Sequence, residues 1–119
     1  MGHPAHHHKI NYIEFSSTDI AKTKSFYTSV FGWVFQDWGP DYVSFSSESG
    51  GIDGGFAKRD PGPEASSLLV VLYSSDLKAT EQSIIKAGGN IVVPTFEFPG
   101  GKRLHFSDGA GNVLAVWSE

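Results

Sequence analysis

Residues 18–33, TDIAKTKSFYTSVFGW, decide the fold of this chain because their pattern occurs a second time. Asp19 and Gly32 recur, in the same order and at the same separation, as Asp76 and Gly89. An acidic residue before an apolar helical stripe, with a glycine after it, is typical of a complete helix. The sequence therefore contains two copies of one unit built around a helix.

A second correspondence covers the strands that follow each helix. Phe45 and Gly50 recur, again at an equal separation, as Phe106 and Gly111. These copies lie farther apart along the chain than the helical copies do, which requires four extra residues in the second unit. We place them between residues 89 and 106, where prolines and glycines can absorb them. Units of this length are marginal alone, so we expect the two copies to share one core.

Alternating and helical patterns give each copy the order βαβββ. The predicted helices follow Asp19 and Asp76. The predicted strands are 9–15, 33–37, 42–46 and 51–57 in the first copy and 68–73, 90–93, 103–107 and 112–117 in the second. We therefore predict a single domain over residues 9–119, with module one at about 9–59, a linker at 60–66 and module two at about 67–119.

The composition excludes several classes of protein. None of the 119 residues is cysteine, which excludes a disulfide framework or thiolate site and leads us to expect a cytoplasmic location. The net charge of −4, with basic residues only in short pairs, disfavours a nucleic-acid partner. No apolar run has the length of a membrane span, so we expect no membrane association. The N-terminal residues 1–8, which hold four of the five histidines, are interpreted as a tag or flexible tail.

Four motifs follow one another along nearly the whole chain from Ile10. They are STDI at 17–20, FY at 26–27 with FGW at 31–33, AGG at 87–89, and FSDGAGN at 106–112. In this order, within a duplicated frame, they resemble the vicinal oxygen chelate superfamily, which contains glyoxalase I, bleomycin-resistance proteins and extradiol dioxygenases. The resemblance implies an α+β fold in which two βαβββ modules form an incomplete mixed β-barrel around one cavity, with the helices outside.

Metal-using members of this superfamily place one ligand on the first strand and one on the last strand of each module. Carried over by position, these sites are Tyr12, Gly54, Leu69 and Ala115. Three of them have no ligating side chain, and neutral tyrosine is a poor ligand for a divalent ion. A register error of one residue would introduce only one good ligand, Asp53. We therefore predict no metal site and no cofactor, which excludes metal-dependent glyoxalase I and dioxygenase chemistry.

Polar residues on the inward faces of the strands are the remaining candidates for chemistry. In one interpretation Glu14 and His105 form a catalytic acid/base pair, with Arg103 holding an anionic group. In the other, Glu14 makes a salt bridge to Arg103 and His105 is a partly buried structural histidine. The predicted ligand-binding residues are Tyr12, Tyr42, Leu69, Tyr73, Arg103 and Trp38.

Aromatic residues and glycines complete the predictions. Trp33 and Trp117 are expected in the core, whereas Trp38, in a loop beside Gly39, is the candidate for the rim of the cavity or a dimer contact. The glycines of SGGIDGG at 49–55 lack the lysine and the strand-to-helix context of a phosphate loop. We interpret them as a bulge and a close approach of backbones within a strand.

These features favour a metal-independent protein, similar to the glyoxalase and bleomycin-resistance group, that holds a small organic molecule in an aromatic-lined cavity. The alternative is a metal-independent lyase or isomerase that uses Glu14 and His105 as acid and base. Bleomycin-resistance proteins sequester ligands as homodimers, so the resemblance also implies a homodimer.

Overall fold

The structure is a computed structural model that describes residues 7–62 and 68–119. The order βαβββ is present in both modules, and a short extra helix, α2, lies in the first. The elements are β1 (Tyr12–Ser17), α1 (Ile20–Phe31), β2 (Phe35–Asp37), β3 (Tyr42–Phe45), α2 (Ser47–Gly50), β4 (Asp53–Lys58), β5 (Val71–Tyr73), α3 (Leu77–Lys86), β6 (Asn90–Phe98), β7 (Gly101–Ser107) and β8 (Val113–Ser118). Most of the predicted tail and positions 63–66 of the predicted linker lie outside the described residues.

Two mixed sheets of four strands carry the two modules. Their strand orders are β1-β4-β3-β2 and β5-β8-β7-β6. In each sheet the first strand of the module pairs parallel with the last, and the other neighbours pair antiparallel. Because the two sheets are separate and do not close, the predicted α+β fold with an incomplete barrel is confirmed.

Both long helices begin with the same hydrogen-bonded motif. In α1 the Asp19 carboxylate caps the helix, and Ser17 Oγ lies 2.6 Å from Thr23 Oγ1. In α3 the equivalent residues repeat these contacts, with a hydroxyl distance of 2.7 Å. They are Asp76, Ser74 and Thr80. A side-chain cap stabilises a helix by about 1 kcal/mol, so the repeated motif fixes where each helix starts.

The core lies between the helices and the sheets and joins the modules. Tyr27 of α1 is fully buried, and its ring centroid lies 5.1 Å from that of Trp33 and 5.0 Å from that of Phe56. Phe26, also on α1, reaches Phe106 of module two with a centroid distance of 6.1 Å. The predicted shared core, including Trp33, is therefore present. Trp117 is only partly buried, so its predicted core position is not fully met.

A buried carboxylate also fastens the two modules together. Asp108 accepts hydrogen bonds from Tyr27 Oη at 2.9 Å and from the backbone N–H groups of Ala110 and Asn112 at 2.8 and 3.1 Å. The Asn112 side-chain amide donates to the Ser16 carbonyl at 2.6 Å. Burial, with the charge and the hydrogen bond of Asp108 added, raises the pKa of Tyr27, so its phenol stays a donor. The FSDGAGN motif is thus structural.

The β-bulge predicted among the glycines of residues 49–55 is not observed, and the shifts in strand register lie in module two. The pairing of β4 with both neighbours runs without a shift, so the predicted bulge at the Gly54-Gly55 pair is wrong. The predicted close approach is correct, because a Cβ on Gly54 would lie 2.4 Å from the Ile13 carbonyl oxygen. The register shifts are in β6, between Ile91 and Phe96. The extra residues of the second copy therefore lengthen β6, which spans nine residues against three in β2.

Candidate functional site

An open cleft of about 980 Å³ lies against module one. Tyr12, Glu14, Tyr42 and Ser44 line it, and along β1 and β3 they alternate with core residues such as Val43. Alternating side chains of a strand point to opposite faces, so these four occupy the face opposite the core. Every lining residue lies between positions 12 and 53, so a single module builds the whole cleft.

A glycine in the central strand lets side chains meet across the sheet. Glu14 on β1 and Ser44 on β3 both pair with Gly55 on β4, which lies between these strands. A Cβ on Gly55 would lie 2.4 Å from Tyr42 Oη and 2.7 Å from the Val43 carbonyl oxygen. The missing side chain therefore leaves the space in which the Tyr42 phenol crosses β4 towards β1.

Three side chains meet in that space and form the floor of the cleft. Tyr42 Oη donates a hydrogen bond to Glu14 Oε1 at 3.1 Å, and the hydroxyl groups of Tyr12 and Tyr42 share a short hydrogen bond. The pKa of Tyr42 is raised because burial disfavours the phenolate and because of its bonds to Tyr12 and Glu14. Tyr42 thus stays protonated near neutral pH. The floor offers phenol hydroxyls and a carboxylate to a ligand.

Aromatic and apolar groups form the upper part of the cleft. Trp38 is 63% exposed, and its indole N–H donates to Ser44 Oγ at 2.9 Å, which fixes the ring at the rim. Val34, which is 74% exposed, and the half-buried Phe35 line the same cleft. A polar floor below an exposed indole is typical of a site that stacks a flat ligand and orients it by a few hydrogen bonds.

The charged groups of the cleft are all acidic. Glu14, Glu48 and Asp53 line it, and none of its lining residues is lysine, arginine or histidine. Asp53 Oδ1 accepts a hydrogen bond from the backbone N–H of Ser47 at 2.7 Å, at the start of α2. The cleft therefore favours a neutral or cationic ligand over an anionic one.

The other predicted ligand-binding residues lie on module two and do not line the cleft. Arg103 and His105 project from β7, on the face opposite its buried residues. Tyr73 on β5 is 53% exposed and donates from Oη to Glu119 Oε1 at 2.6 Å. Leu69 precedes β5 and is 36% exposed. The candidates thus fall into two groups, one on each sheet.

The structure does not bring Glu14 and His105 into contact. Glu14 bonds to Tyr42, and over residues 7–62 and 68–119 it forms no hydrogen bond or ion pair with Arg103 or His105. The alternative salt bridge to Arg103 is therefore also absent from this part of the chain. The ion pair that it does contain joins Lys24 to Asp37 at 2.7 Å.

The residues at the family's metal positions do not fit a metal ion. On β8, Ala115 pairs with His105 and Val71. The equivalents of these two residues in module one, Ser44 and Glu14, both pair with Gly55. Gly55 is therefore the equivalent of Ala115, one residue beyond the position that the sequence offset gives. Neither residue offers a ligating atom in its side chain. Where the structure describes the chain, it groups no three His, Cys, Asp or Glu side chains as a metal ion requires.

A second, smaller pocket of about 390 Å³ lies between the first strands of the two modules. Its lining is mostly apolar, with Phe15, Trp33 and Leu72 among the side chains that face it. Sequence patterns did not indicate this pocket. They also missed Glu48 of α2 in the cleft, because a four-residue helix leaves no periodic signal.

A comparison with protein-family models matches residues 9–116 to the Glyoxalase/Bleomycin resistance protein/Dioxygenase superfamily. The chain belongs to this superfamily. The resemblance noted from the motifs is thereby confirmed, and the match covers both modules. No helix in the described ranges, 7–62 and 68–119, is long and apolar enough to cross a membrane.

Two curated relatives show how far the similarity extends within the superfamily. CFP32 of Mycobacterium tuberculosis, a proposed glyoxylase, is 28% identical over 115 residues, and the match covers 90% of this chain and 44% of the relative. The anthracycline biosynthesis protein DnrV of Streptomyces peucetius is 28% identical over 125 residues, covering 89% and 45%. The chain thus spans about half the length of these relatives.

A solved structure shows the same fold at lower identity. The fosfomycin resistance protein FosX of Listeria monocytogenes, solved with Mn(II) and a dihydroxypropylphosphonic acid, aligns with a TM-score of 0.78 at 16% identity. The alignment covers 93% of this chain and 90% of FosX. At this identity the likeness concerns the fold and not the chemistry.

Proposed function

We propose that this protein holds a small, flat organic molecule, neutral or cationic, in the module-one cleft without a metal ion. The observation that carries the proposal is the hydrogen-bonded floor of Tyr12, Tyr42 and Glu14 beneath the exposed indole of Trp38. Stacking on the indole supplies apolar contact, and the floor orients the polar atoms of the ligand.

An anthracycline is a suitable probe for this cleft. The relative DnrV takes part in anthracycline biosynthesis, and a fused, flat ring system matches a cleft that exposes Trp38. Doxorubicin also carries an amine, which suits a lining whose charged groups are Glu14, Glu48 and Asp53. We therefore expect saturable binding of doxorubicin, with quenching of tryptophan fluorescence and a higher melting temperature.

Substitutions in the floor test whether binding occurs there. Tyr42→Phe and Glu14→Gln should each weaken doxorubicin binding about tenfold, which corresponds to roughly 1.4 kcal/mol. Tyr73→Phe is the matched control, because it removes a phenol hydroxyl outside the cleft. Equal affinity in all three variants and the parent protein, or no saturable binding at all, would contradict the proposal.

Metal independence needs its own measurement. We expect protein treated with a chelator to bind doxorubicin as tightly as protein supplied with Mn²⁺, the ion present in the FosX structure. Elemental analysis should find far less than one transition-metal ion per chain, because the residues at the metal positions supply too few ligands. About one ion per chain in protein without its N-terminal histidines would overturn this part of the proposal.

The enzymatic alternative, a lyase or isomerase that uses Glu14 and His105, stays a prediction. Chromatography of the ligand after hours with the protein distinguishes it from binding alone. Recovery of unchanged ligand supports binding. Conversion that disappears in folded Glu14→Gln and His105→Ala variants supports catalysis.

We further propose that the working unit is a homodimer in the cytoplasm. Large apolar side chains remain exposed on both modules, including Trp38, Val71 at 42% and Phe96 at 37%. A contiguous apolar patch marks an interaction surface, and we propose that such side chains form one between two copies of the chain. The cytoplasmic location rests on the cysteine-free composition. Sedimentation equilibrium should give the mass of two chains, and a single-chain mass at every protein concentration would contradict the dimer.

A further inference from the structure

We propose a second binding site, on the module-two sheet, in which Arg103 and His105 hold the carboxylate or phosphate group of a small molecule. This site shares no lining residue with the module-one cleft. The proposal does not depend on what that cleft binds, and its test can succeed or fail separately.

Strand β7 places the two side chains on one open face of the sheet. Leu104 and Phe106 are fully buried in the core, so Arg103 and His105 project from the opposite face. They are separated by one residue on the same strand, so their side chains leave the sheet on the same face as neighbours along β7.

Aromatic rings from the long strand β6 surround the guanidinium group. The Cζ atom of Arg103 lies 5.3 Å from the ring centroid of Phe96 and 5.9 Å from that of Phe98. These distances are within the range of cation–π attraction. The ring of Phe98 in turn meets that of Trp117 edge-on, at 6.1 Å between centroids. The guanidinium is therefore held in place by rings and not by a carboxylate.

Two nitrogen atoms of this group have no hydrogen-bond partner. Arg103 Nε and His105 Nε2 are buried atoms and remain unsatisfied. Arg103 also forms no ion pair over the described ranges 7–62 and 68–119. A buried polar nitrogen without an acceptor destabilises a protein by about 1–3 kcal/mol, and by more where the group is charged. The arrangement is therefore prepared for an acceptor from outside the sheet.

An oxyanion is the acceptor that matches these donors. The guanidinium carries a permanent positive charge, and its N–H groups form a planar fork that fits a carboxylate or phosphate. His105 Nε2 can donate the neighbouring hydrogen bond. The ring of Phe96 is 37% exposed, and its centroid lies 5.3 Å from Arg103 Cζ. Because Arg103 Nε is buried, the proposed binding requires this surface ring to turn aside when the anion enters. Burial, and then the charge of Arg103, lower the pKa of His105, and an anion at this position would offset the second cause.

The test follows the side-chain resonances of Arg103 and His105 by nitrogen-15 NMR during titration with acetate and with phosphate. Chloride at the same ionic strength controls for screening. We expect saturable shifts of Arg103 Nε–H and of the His105 ring with acetate or phosphate and not with chloride. Saturation by acetate alone assigns the site to carboxylates, and saturation by phosphate alone assigns it to phosphate groups.

Four variants make the outcome specific. Arg103→Lys keeps the charge but loses the planar fork of N–H donors, and it should weaken anion binding about tenfold. Arg103→Gln, which also loses the charge, should weaken binding by at least as much. The matched control is Lys102→Gln, which removes the exposed neighbouring charge and should change affinity less than twofold. His105→Gln keeps a donor and tests the second contact.

Three results would overturn the proposal. The first is equal shifts with chloride, which show only screening. The second is equal affinity in Arg103→Lys and the parent protein. The third is a change in the Arg103 and His105 resonances when the protein alone, without added anion, is diluted. Such a change would show that the acceptor is a carboxylate of a second copy of this chain.

Discussion

The two modules have the same scaffold, but the open faces of their sheets differ in chemistry. The residues that start α1 recur at the start of α3 with hydroxyl contacts of 2.6 and 2.7 Å. Tyr42 on β3 and Arg103 on β7 occupy equivalent positions in the repeated strand, yet one is a phenol and the other a cation. The strands beside them differ as well, since Gly55 on β4 has Ala115 as its equivalent on β8.

This difference in the strand beside them affects which side chains can meet across each sheet. In module one the bare Cα of Gly55 lets Tyr42 cross to Glu14. In module two Ala115 occupies the position of Gly55, and the side chain of Arg103 lies against the rings of Phe96 and Phe98 on β6. The two modules thus share the helix caps and the core, while their open faces carry different donors and acceptors.

The largest effect is expected where the modules are joined. Asp108→Ala removes the acceptor of Tyr27 Oη and of two backbone N–H groups, all of them buried or partly buried. We expect the free energy of unfolding to fall by about 3 kcal/mol or more, because several donors lose their partner at once. Urea denaturation measures this. Asp41→Ala is the surface control, and an equal loss in both variants would show that Asp108 does not fasten the modules.

Exchanging the central residues tests the difference between the two faces. Gly55→Ala places a Cβ 2.4 Å from Tyr42 Oη and 2.7 Å from the Val43 carbonyl oxygen. We expect a loss of about 1–3 kcal/mol in stability together with disruption of the cleft floor, because a backbone atom cannot move aside as a side chain can. Ala115→Gly, the reverse exchange, should cost about 0.5–1 kcal/mol and leave the cleft intact.

Urea denaturation and doxorubicin titration together measure this pair. Full stability and full binding in Gly55→Ala would show that the absence of a side chain at this position does not shape the cleft. Loss of binding in a variant with a folded spectrum would show that Gly55 serves the cleft and not the core.

Removal of one hydroxyl from each module gives a smaller and more local effect. Tyr42→Phe should reduce stability by about 1 kcal/mol, because it removes hydrogen bonds to Tyr12 and Glu14 at a half-buried site. Tyr73→Phe removes an exposed bond to Glu119 and should change stability by less than about 0.5 kcal/mol. Thermal and urea unfolding of the two variants measure the difference. Equal losses would mean that the floor of the cleft adds nothing to folding.

The sequence predicted the scaffold because the scaffold is periodic and repeated. Asp19 and Asp76 lie at the predicted starts of their helices and cap them, and a cap is a local interaction between residues three positions apart. The family and the βαβββ order of elements along each module followed from the same repeated residues. The short helix α2 gave no signal, and it contributes Glu48 to the cleft.

Side-chain contacts across strands were harder to predict, because they depend on register. The sequence offset that relates the two copies of the last strands pairs Ala115 with Gly54, whereas the sheets pair it with Gly55. A shift of a single position changes the face of a strand. The sequence pattern also grouped Glu14 with His105, because it indicates only which face of its strand each side chain occupies. The two residues lie on different sheets. The bond between Tyr42 and Glu14 depends on a glycine in a third strand, which no pairwise pattern shows.

The smallest expected effect is a pH dependence confined to module two. Burial, followed by the charge of Arg103, lowers the pKa of His105 below its ordinary value of about 6.5. The unfolded chain therefore binds this proton more readily, and stability is lost as the pH falls from 6.5 towards the folded pKa. His105→Gln should remove that part of the pH dependence, so the stability of the parent protein relative to the variant should be lower at pH 5.5 than at pH 7.5. A parallel pH profile in both would show that His105 does not titrate differently on folding. Tyr42→Phe, which alters the other module, should leave the profile unchanged.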